Sequence, residues 1–309
     1  MTDTITRSES GISLTDTVHI NSVIWIRSLG DDELNPSRRM VEDLTPMAIA
    51  GHFGFEEKVV GNRAELLSLL DRVVSAAQAG LRPILHFDCH GSAVGGLFLK
   101  PTDEFCGWEE LATQLRAINV ATGNNLCCVF GACFGMWHAT QLRLSQPAPW
   151  YLVIAPENEV SVGVLEERIA AFYREVFSSA NITQAYDRVL KPDLDIMLCK
   201  KVFAESLAQH VAVNCRGETG RKRKEVAVTA VLQRRGIVSP TREQLAHARR
   251  EIRDKFKASQ WLIDHFATRF LIGRHPGIDV SDLVRLADNY ARRARRRRDR
   301  AQKMASICS

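Results

Sequence analysis

Residues 126–135 read LCCVFGACFG, an unbroken apolar run that stops at a glycine and is followed by a second glycine four positions later. A short run that is apolar on both faces is typical of a strand buried inside a parallel sheet. Residues 83–91 have the same design, because the apolar segment PILHF leads into the polar segment DCHG. The two stretches therefore predict an α/β protein whose polar strand ends meet at one edge of the sheet.

Outside these stretches, further apolar strands alternate with amphipathic helices. Residues 22–29 (SVIWIRSL) and 150–155 (WYLVIA) are predicted strands, rich in β-branched and aromatic side chains. Apolar residues at helical spacing predict three helices, through Leu66, Leu69, Leu70, Val73 and Ala77, through Trp108, Leu111, Leu115 and Ile118, and through Leu165, Ile169, Phe172 and Val176. This alternation predicts a parallel sheet covered by helices.

The charge of the chain is distributed unevenly. Residues 1–200 carry 16 Lys/Arg and 25 Asp/Glu, whereas residues 201–309 carry 25 Lys/Arg and 11 Asp/Glu. The change predicts an α/β domain over 1–200 and a basic, mostly helical extension over 201–309. Two dense basic runs, RKRK at 221–224 and RRARRRRDR at 292–300, favour nucleic acid or an acidic protein as a partner. The alternatives are a solvated tail and, for residues 216–224, a processing site.

Cysteine usage and hydropathy bear on the compartment. The chain has eight cysteines and no C-x-x-C pair, which argues against a disulfide framework and against a zinc site. No apolar run approaches the roughly 20 residues that span a bilayer, and residues 1–17 lack the apolar segment of a secretion signal. We therefore expect a cytoplasmic protein that contacts no membrane and uses neither a metal nor a cofactor.

The two strand ends carry the residues of a cysteine hydrolase. His90 could act as the general base and Cys133 as the nucleophile, since catalysis of this kind needs a thiolate and an imidazole that keeps it available. The backbone amides of Gly91 and Cys133 could form an oxyanion hole, and Gly135 would allow a sharp turn into a helix. The alternative is that the thiol is a buried core group and that the imidazole is packed or exposed.

These motifs resemble those of the caspase-like cysteine peptidases, the group of caspases, metacaspases, separases and bacterial CHAT-domain peptidases. In that group a His-Gly pair ends one strand and a motif such as Q-A-C-x-G ends the next; here DCHG lies at 88–91 and GACFG at 131–135. The resemblance covers about residues 20–190. It implies a caspase-like α/β sandwich and a Cys/His peptidase that acts on a protein substrate, with a regulatory protein as a further candidate partner. It also implies an effector role in bacterial defence or cell death.

Gly131 departs from the resemblance, because caspases carry Gln at this position and metacaspases carry Asp. The prediction of substrate preference therefore depends on the acidic residues near the two motifs. Asp88 and Glu157 follow predicted strands and could line an acidic pocket that accepts Arg or Lys before the cleaved bond. Each could instead cap a helix, bond to a loop or orient His90. The rival from another class is a non-catalytic caspase-like scaffold that binds through its Arg-rich end.

Overall fold

The computed structural model describes residues 2–9 and 12–307 and contains one large mixed sheet. The first two strands, β1 (Thr2–Glu9) and β2 (Ile12–His19), pair only with each other in the described part of the chain. The large sheet has eight strands: β3 (Ser22–Ser28), β4 (Gly54–Val59), β5 (Pro83–Ser92), β6 (Gly96–Leu99), β7 (Glu104–Cys106), β8 (Cys127–Phe130), β9 (Leu152–Ala155) and β10 (Asp195–Leu198).

The order of the main strands is β10-β9-β8-β5-β3-β4. All neighbours along this path are parallel except β9 and β10, which are antiparallel. Beyond its pairing with β3 and β8, strand β5 continues into an antiparallel extension with β6, and β6 in turn pairs with β7. The predicted α/β class and its mostly parallel sheet are confirmed.

Ten α-helices cover or follow the sheet in the described residues. They are α1 (Leu34–Ala50), α2 (Arg63–Gln78), α3 (Trp108–Ala121), α4 (Val162–Ser179), α5 (Ile182–Ala185), α6 (Cys199–Asn214), α7 (Gly217–Arg234), α8 (Arg242–Arg253), α9 (Gln260–Phe270) and α10 (Val280–Ile307). Helix α2 begins after Asn62, whose side chain accepts a hydrogen bond from the Glu65 amide at 2.9 Å. The predicted apolar face of α2 is buried.

The core lies around the central strands. Every residue of β3, β8 and β9 is buried, as expected for strands with a neighbour on each side and helices on both faces. Phe87 of β5 stacks on Phe130 of β8 with ring centroids 4.6 Å apart, which ties the two strands just before their polar ends.

The chain divides into two compact units at Cys199. The first holds most of the residues up to Cys199, and the second consists chiefly of the residues from Lys200 onward. In the second unit α7 packs on α8 through Val228, Leu232, Ala248 and Ile252. In α10 the described arginines from Arg292 to Arg297 are exposed. Across residues 2–9 and 12–307, no helix combines the length and apolar character that a membrane span requires.

Candidate active site

The ends of β5 and β8 lie side by side. Their parallel register pairs Ile84 with Cys127 and Phe87 with Phe130. The Gly131 amide then donates a hydrogen bond to the Phe87 carbonyl at 2.8 Å, which extends the ladder by one residue. Residues 88–91 continue β5 beyond its pairing with β8, and residues 131–133 follow β8, so both segments lie at the same edge of the parallel sheet, where open α/β sheets bind their ligands.

Gly91 and Cys133 are in direct backbone contact. A Cβ atom at position 91 would lie 1.9 Å from the Cys133 carbonyl oxygen and 3.3 Å from the Cys133 nitrogen. Only a residue without a Cβ allows this approach, because Cβ atoms essentially never come within 3.0 Å of a heavy atom from a distant residue. The two motifs therefore lie next to each other, as predicted, and they touch through their backbones.

The chain turns sharply at the nucleophile candidate. Phe134 has a left-handed backbone (φ 58°, ψ 17°), and its amide donates to the Asn158 carbonyl at 3.3 Å. Gly135 then packs so closely that a Cβ there would lie 2.7 Å from the Phe130 Cβ. The helix expected after this turn is a 3-10 helix of seven residues, Gly135–Gln141. Cys133 itself is half-buried, and its thiol donates to the Val160 carbonyl at 3.7 Å.

His90 bonds to an acid that the sequence did not single out. Its Nε2 atom lies 2.8 Å from Oε1 of Glu33, and Oε2 of Glu33 accepts a hydrogen bond from the Gly30 amide at 3.1 Å. Burial by itself would raise the pKa of Glu33. The hydrogen bonds from His90 and Gly30, with the positive charges of His90 and Lys100, outweigh it and lower the pKa below the ordinary value. The sequence signal for Glu33 is its place in an acidic run, Asp31-Asp32-Glu33, that comes just after a buried strand.

His90 and Cys133 line one cavity of about 270 Å³. Because a thiol has a single proton, Cys133 must leave the Val160 carbonyl before it can pass that proton to His90. The acidic side chains of the wall are Asp32, Glu33 and Asp88, and its apolar side chains are Leu29, Pro36, Met40, Val160 and Ile169.

The two acids proposed for a substrate pocket are separated in the structure. Asp88 lines the cavity, whereas Glu157 is exposed and lines a different groove with Glu159, Asp193 and Asp195. Oδ2 of Asp88 accepts hydrogen bonds from Nε1 of Trp25, at 3.0 Å, and from the Ser37 hydroxyl. Burial raises the pKa of Asp88, although these two hydrogen bonds act in the opposite direction.

His86, which also lines the cavity, is a packed core residue. Its ring stacks on Trp25 with centroids 3.8 Å apart, and its Nδ1 shares a hydrogen bond of 3.2 Å with the Tyr173 hydroxyl. Burial lowers the pKa of His86 to about 3, so the ring is neutral at ordinary pH. The neighbouring Cys89 is also buried, and burial raises the pKa of its thiol well above the ordinary value, so it is a poor nucleophile.

Comparison with models of known protein families and with curated protein sequences finds no match to this chain. Within the described residues, no three or more His, Cys, Asp or Glu side chains form a group that could hold a metal ion. The residues of the cavity are therefore the basis for the function proposed below.

Proposed function

We propose that this protein is a caspase-like cysteine endopeptidase that hydrolyses a protein substrate with Cys133 and His90. The observation that carries the proposal is the backbone contact between Gly91 and Cys133, at the ends of neighbouring parallel strands, beside a cavity that both reactive side chains line. The arrangement is the one that the resemblance in sequence implies, with His-Gly ending one strand and the cysteine motif ending the next.

The mechanism is acyl transfer. The Cys133 thiol gives its proton to His90 and attacks the peptide carbonyl, and the amides of Gly91 and Cys133 hold the oxyanion that forms. His90 then protonates the leaving amine, and water releases the acyl group from the sulfur. This sequence of steps uses only side chains and amides of the chain, with no cofactor.

The cavity favours a long side chain with a positive end. Apolar walls from Met40 and Ile169 suit an aliphatic stem, and the Asp88 carboxylate offers a partner to Lys or Arg. This supports cleavage after a basic residue, with Asp88 as the residue that determines the specificity. The second acid of the substrate pocket is then Asp32, which lines the cavity, and not Glu157, which does not. A regulated effector in bacterial defence or cell death is the cellular role that the resemblance implies.

We predict that Asp88→Asn lowers kcat/KM for peptides with Arg or Lys before the cleaved bond by at least about 30-fold, because a buried cation loses its charged partner. The amide oxygen can still accept the hydrogen bonds of Trp25 and Ser37. For the wild type, KM for basic peptides should rise as the pH falls through the raised pKa of Asp88. The matched control is Glu157→Gln, which removes an acid outside the cavity. Equal losses in both variants would contradict the assignment.

The test of the proposal is hydrolysis of a fluorogenic peptide library, diverse at the residue before the cleaved bond, by the wild type, Cys133→Ala and His90→Ala. We expect cleavage after Arg or Lys, and a loss of at least about 10³-fold in both variants, since each removes a group used in every step. Activity that survives in Cys133→Ala would overturn the nucleophile assignment.

A non-catalytic scaffold is the second candidate, favoured by the exposed arginines of α10. Arg293, Arg295, Arg296 and Arg297 give this helix a dense positive surface suited to nucleic acid or an acidic protein. A wild type that cleaves nothing in the library, and whose Cys133 reacts with iodoacetamide no faster than the buried cysteines at any pH, would support the scaffold over the peptidase.

A further inference from the structure

We infer that Glu33 is a positioning residue of the active site, which holds the His90 imidazole through Nε2 and leaves Nδ1 to exchange a proton with Cys133. The inference rests on the proposed function for its role in catalysis, but its physical content concerns His90 alone. In this assignment Nε2 of His90 faces Glu33 and Nδ1 faces Cys133. Glu33 thereby joins Cys133 and His90 as the third residue of the site.

The topology of the sheet brings Glu33 to this place. Strands β3 and β5 are parallel neighbours, and their register pairs Ser28 with Cys89. The loop that leaves β3 therefore emerges beside His90. It closes as a tight turn in which the Glu33 amide donates to the Gly30 carbonyl at 3.0 Å, and the chain then enters α1 at Leu34.

The carboxylate of Glu33 is held at both oxygens. Oε2 accepts from the Gly30 amide at 3.1 Å within its own turn, and Oε1 lies 2.8 Å from Nε2 of His90. A carboxylate fixed in this way presents one oxygen in a constant direction, so it fixes the ring plane of the histidine. A side chain that only closed the turn would use Oε2 alone.

The charge of Glu33 determines the tautomer of His90. Since its pKa is lowered, Glu33 is ionised at neutral pH and can only accept hydrogen bonds. Nε2 of His90 must therefore carry a hydrogen, and the lone pair of the neutral ring lies on Nδ1. When the Sγ–H bond of Cys133 breaks and the Nδ1–H bond forms, the imidazolium produced faces the carboxylate, which favours the thiolate–imidazolium pair.

Other ionisable groups also act on His90. Asp32, Asp88 and Cys133 line the same cavity, and Lys100 lies close enough to influence Glu33. Asp32 is exposed and Asp88 is bonded to Trp25 and Ser37, so Glu33 alone among these three acids contacts the imidazole. Because the His90 and Glu33 side chains are 39% and 35% exposed, solvent weakens the pair, and we expect a moderate effect.

The experiment compares the wild type with Glu33→Gln in two measurements that need no substrate. The first records the 15N NMR signals of the His90 ring, which distinguish its two tautomers. The second measures the rate at which Cys133 is alkylated by iodoacetamide at neutral pH, with mass spectrometry to separate it from the other cysteines. We expect the wild type to hold the tautomer with hydrogen on Nε2, and Glu33→Gln to mix the two tautomers, because a neutral amide can either donate to or accept from the ring. Alkylation of Cys133 should be roughly 10-fold slower in the variant, because no carboxylate then faces the imidazolium. In the peptidase assay, kcat should fall roughly 10- to 100-fold with KM little changed.

Asp32→Asn is the matched control, because it removes the neighbouring acid of the same cavity without touching His90. Equal changes in Asp32→Asn would overturn the inference in favour of a general field effect, and unchanged measurements in Glu33→Gln would overturn it directly. Glu33→Asp, which keeps the charge, should recover part of the change. If the wild type cleaves no peptide but Glu33→Gln changes both measurements, the positioning role stands and the peptidase proposal fails.

Discussion

Gly91→Ala is expected to disrupt the proposed active site and to lower the free energy of unfolding by about 3 kcal/mol or more. The added Cβ would lie 1.9 Å from the Cys133 carbonyl oxygen, so one of the two strand ends must move. The backbone at position 91 is outside the left-handed region, and the cost is therefore steric rather than conformational. A displacement of about 1 Å at Cys133 should reduce kcat/KM roughly 100-fold.

Urea unfolding and the alkylation rate of Cys133 measure the two effects. The control is Gly131→Ala at the end of the neighbouring strand, where a Cβ would lie 3.4 Å from the Phe87 carbonyl oxygen, an ordinary contact. Its stability should stay within about 1 kcal/mol of the wild type. A Gly91→Ala protein as stable and as reactive as the wild type would show that the two strand ends are not in contact.

Acid is expected to destabilise the protein through His86. The folded state lowers the pKa of this histidine from 6.5 to about 3. Between these two pH values the unfolded chain therefore binds a proton at His86 and the folded chain does not. The stability from His86 is complete above pH 6.5 and is lost as the pH falls toward 3. The loss amounts to about 5 kcal/mol over this window.

His86→Phe should flatten the pH dependence of stability between pH 6.5 and 3, measured by urea unfolding at several pH values. The single variant keeps a ring beside Trp25 but leaves the buried Tyr173 hydroxyl without its histidine partner, which costs about 1–3 kcal/mol at neutral pH. The double variant His86→Phe/Tyr173→Phe removes both polar groups and should recover most of that loss. A pH slope identical in the wild type and the double variant would contradict this account.

The strands were predictable where the sequence is apolar on both faces. The segments that contain β3, β5, β8 and β9 stand out because each is a short apolar run, and the residues that end β5 and follow β8 lie at one edge of the parallel sheet, as their sequence predicts. Strands β4 and β10 were not predicted. Both lie at the edges of the sheet and have mixed patterns, GFEEKV and DIML, that do not differ from those of loops.

The candidate site was predictable as a pair of motifs but not as a set of contacts. His90 and Cys133 are marked by adjacent glycines, which are local signals. Glu33 contacts His90 across 57 positions of sequence, through the pairing of β3 with β5, and no local pattern records that pairing. Glu157 is the converse case, because a position after a strand gives the edge of the sheet but not the direction of the side chain, and Glu157 lines a different groove from Asp88.

The order of the three central strands also determines where this chain tolerates changes in length. The loop after β3 supplies Glu33, β5 supplies His90 and the end of β8 supplies Cys133, while α2 and α3 only connect one strand to the next. Extra residues at the exposed end of α2, near Gly80, where a Cβ would meet nothing within 4 Å, leave all three groups in place. One extra residue inside β5 would turn His90 to the opposite face. Insertions and deletions compatible with activity should therefore be confined to the crossovers.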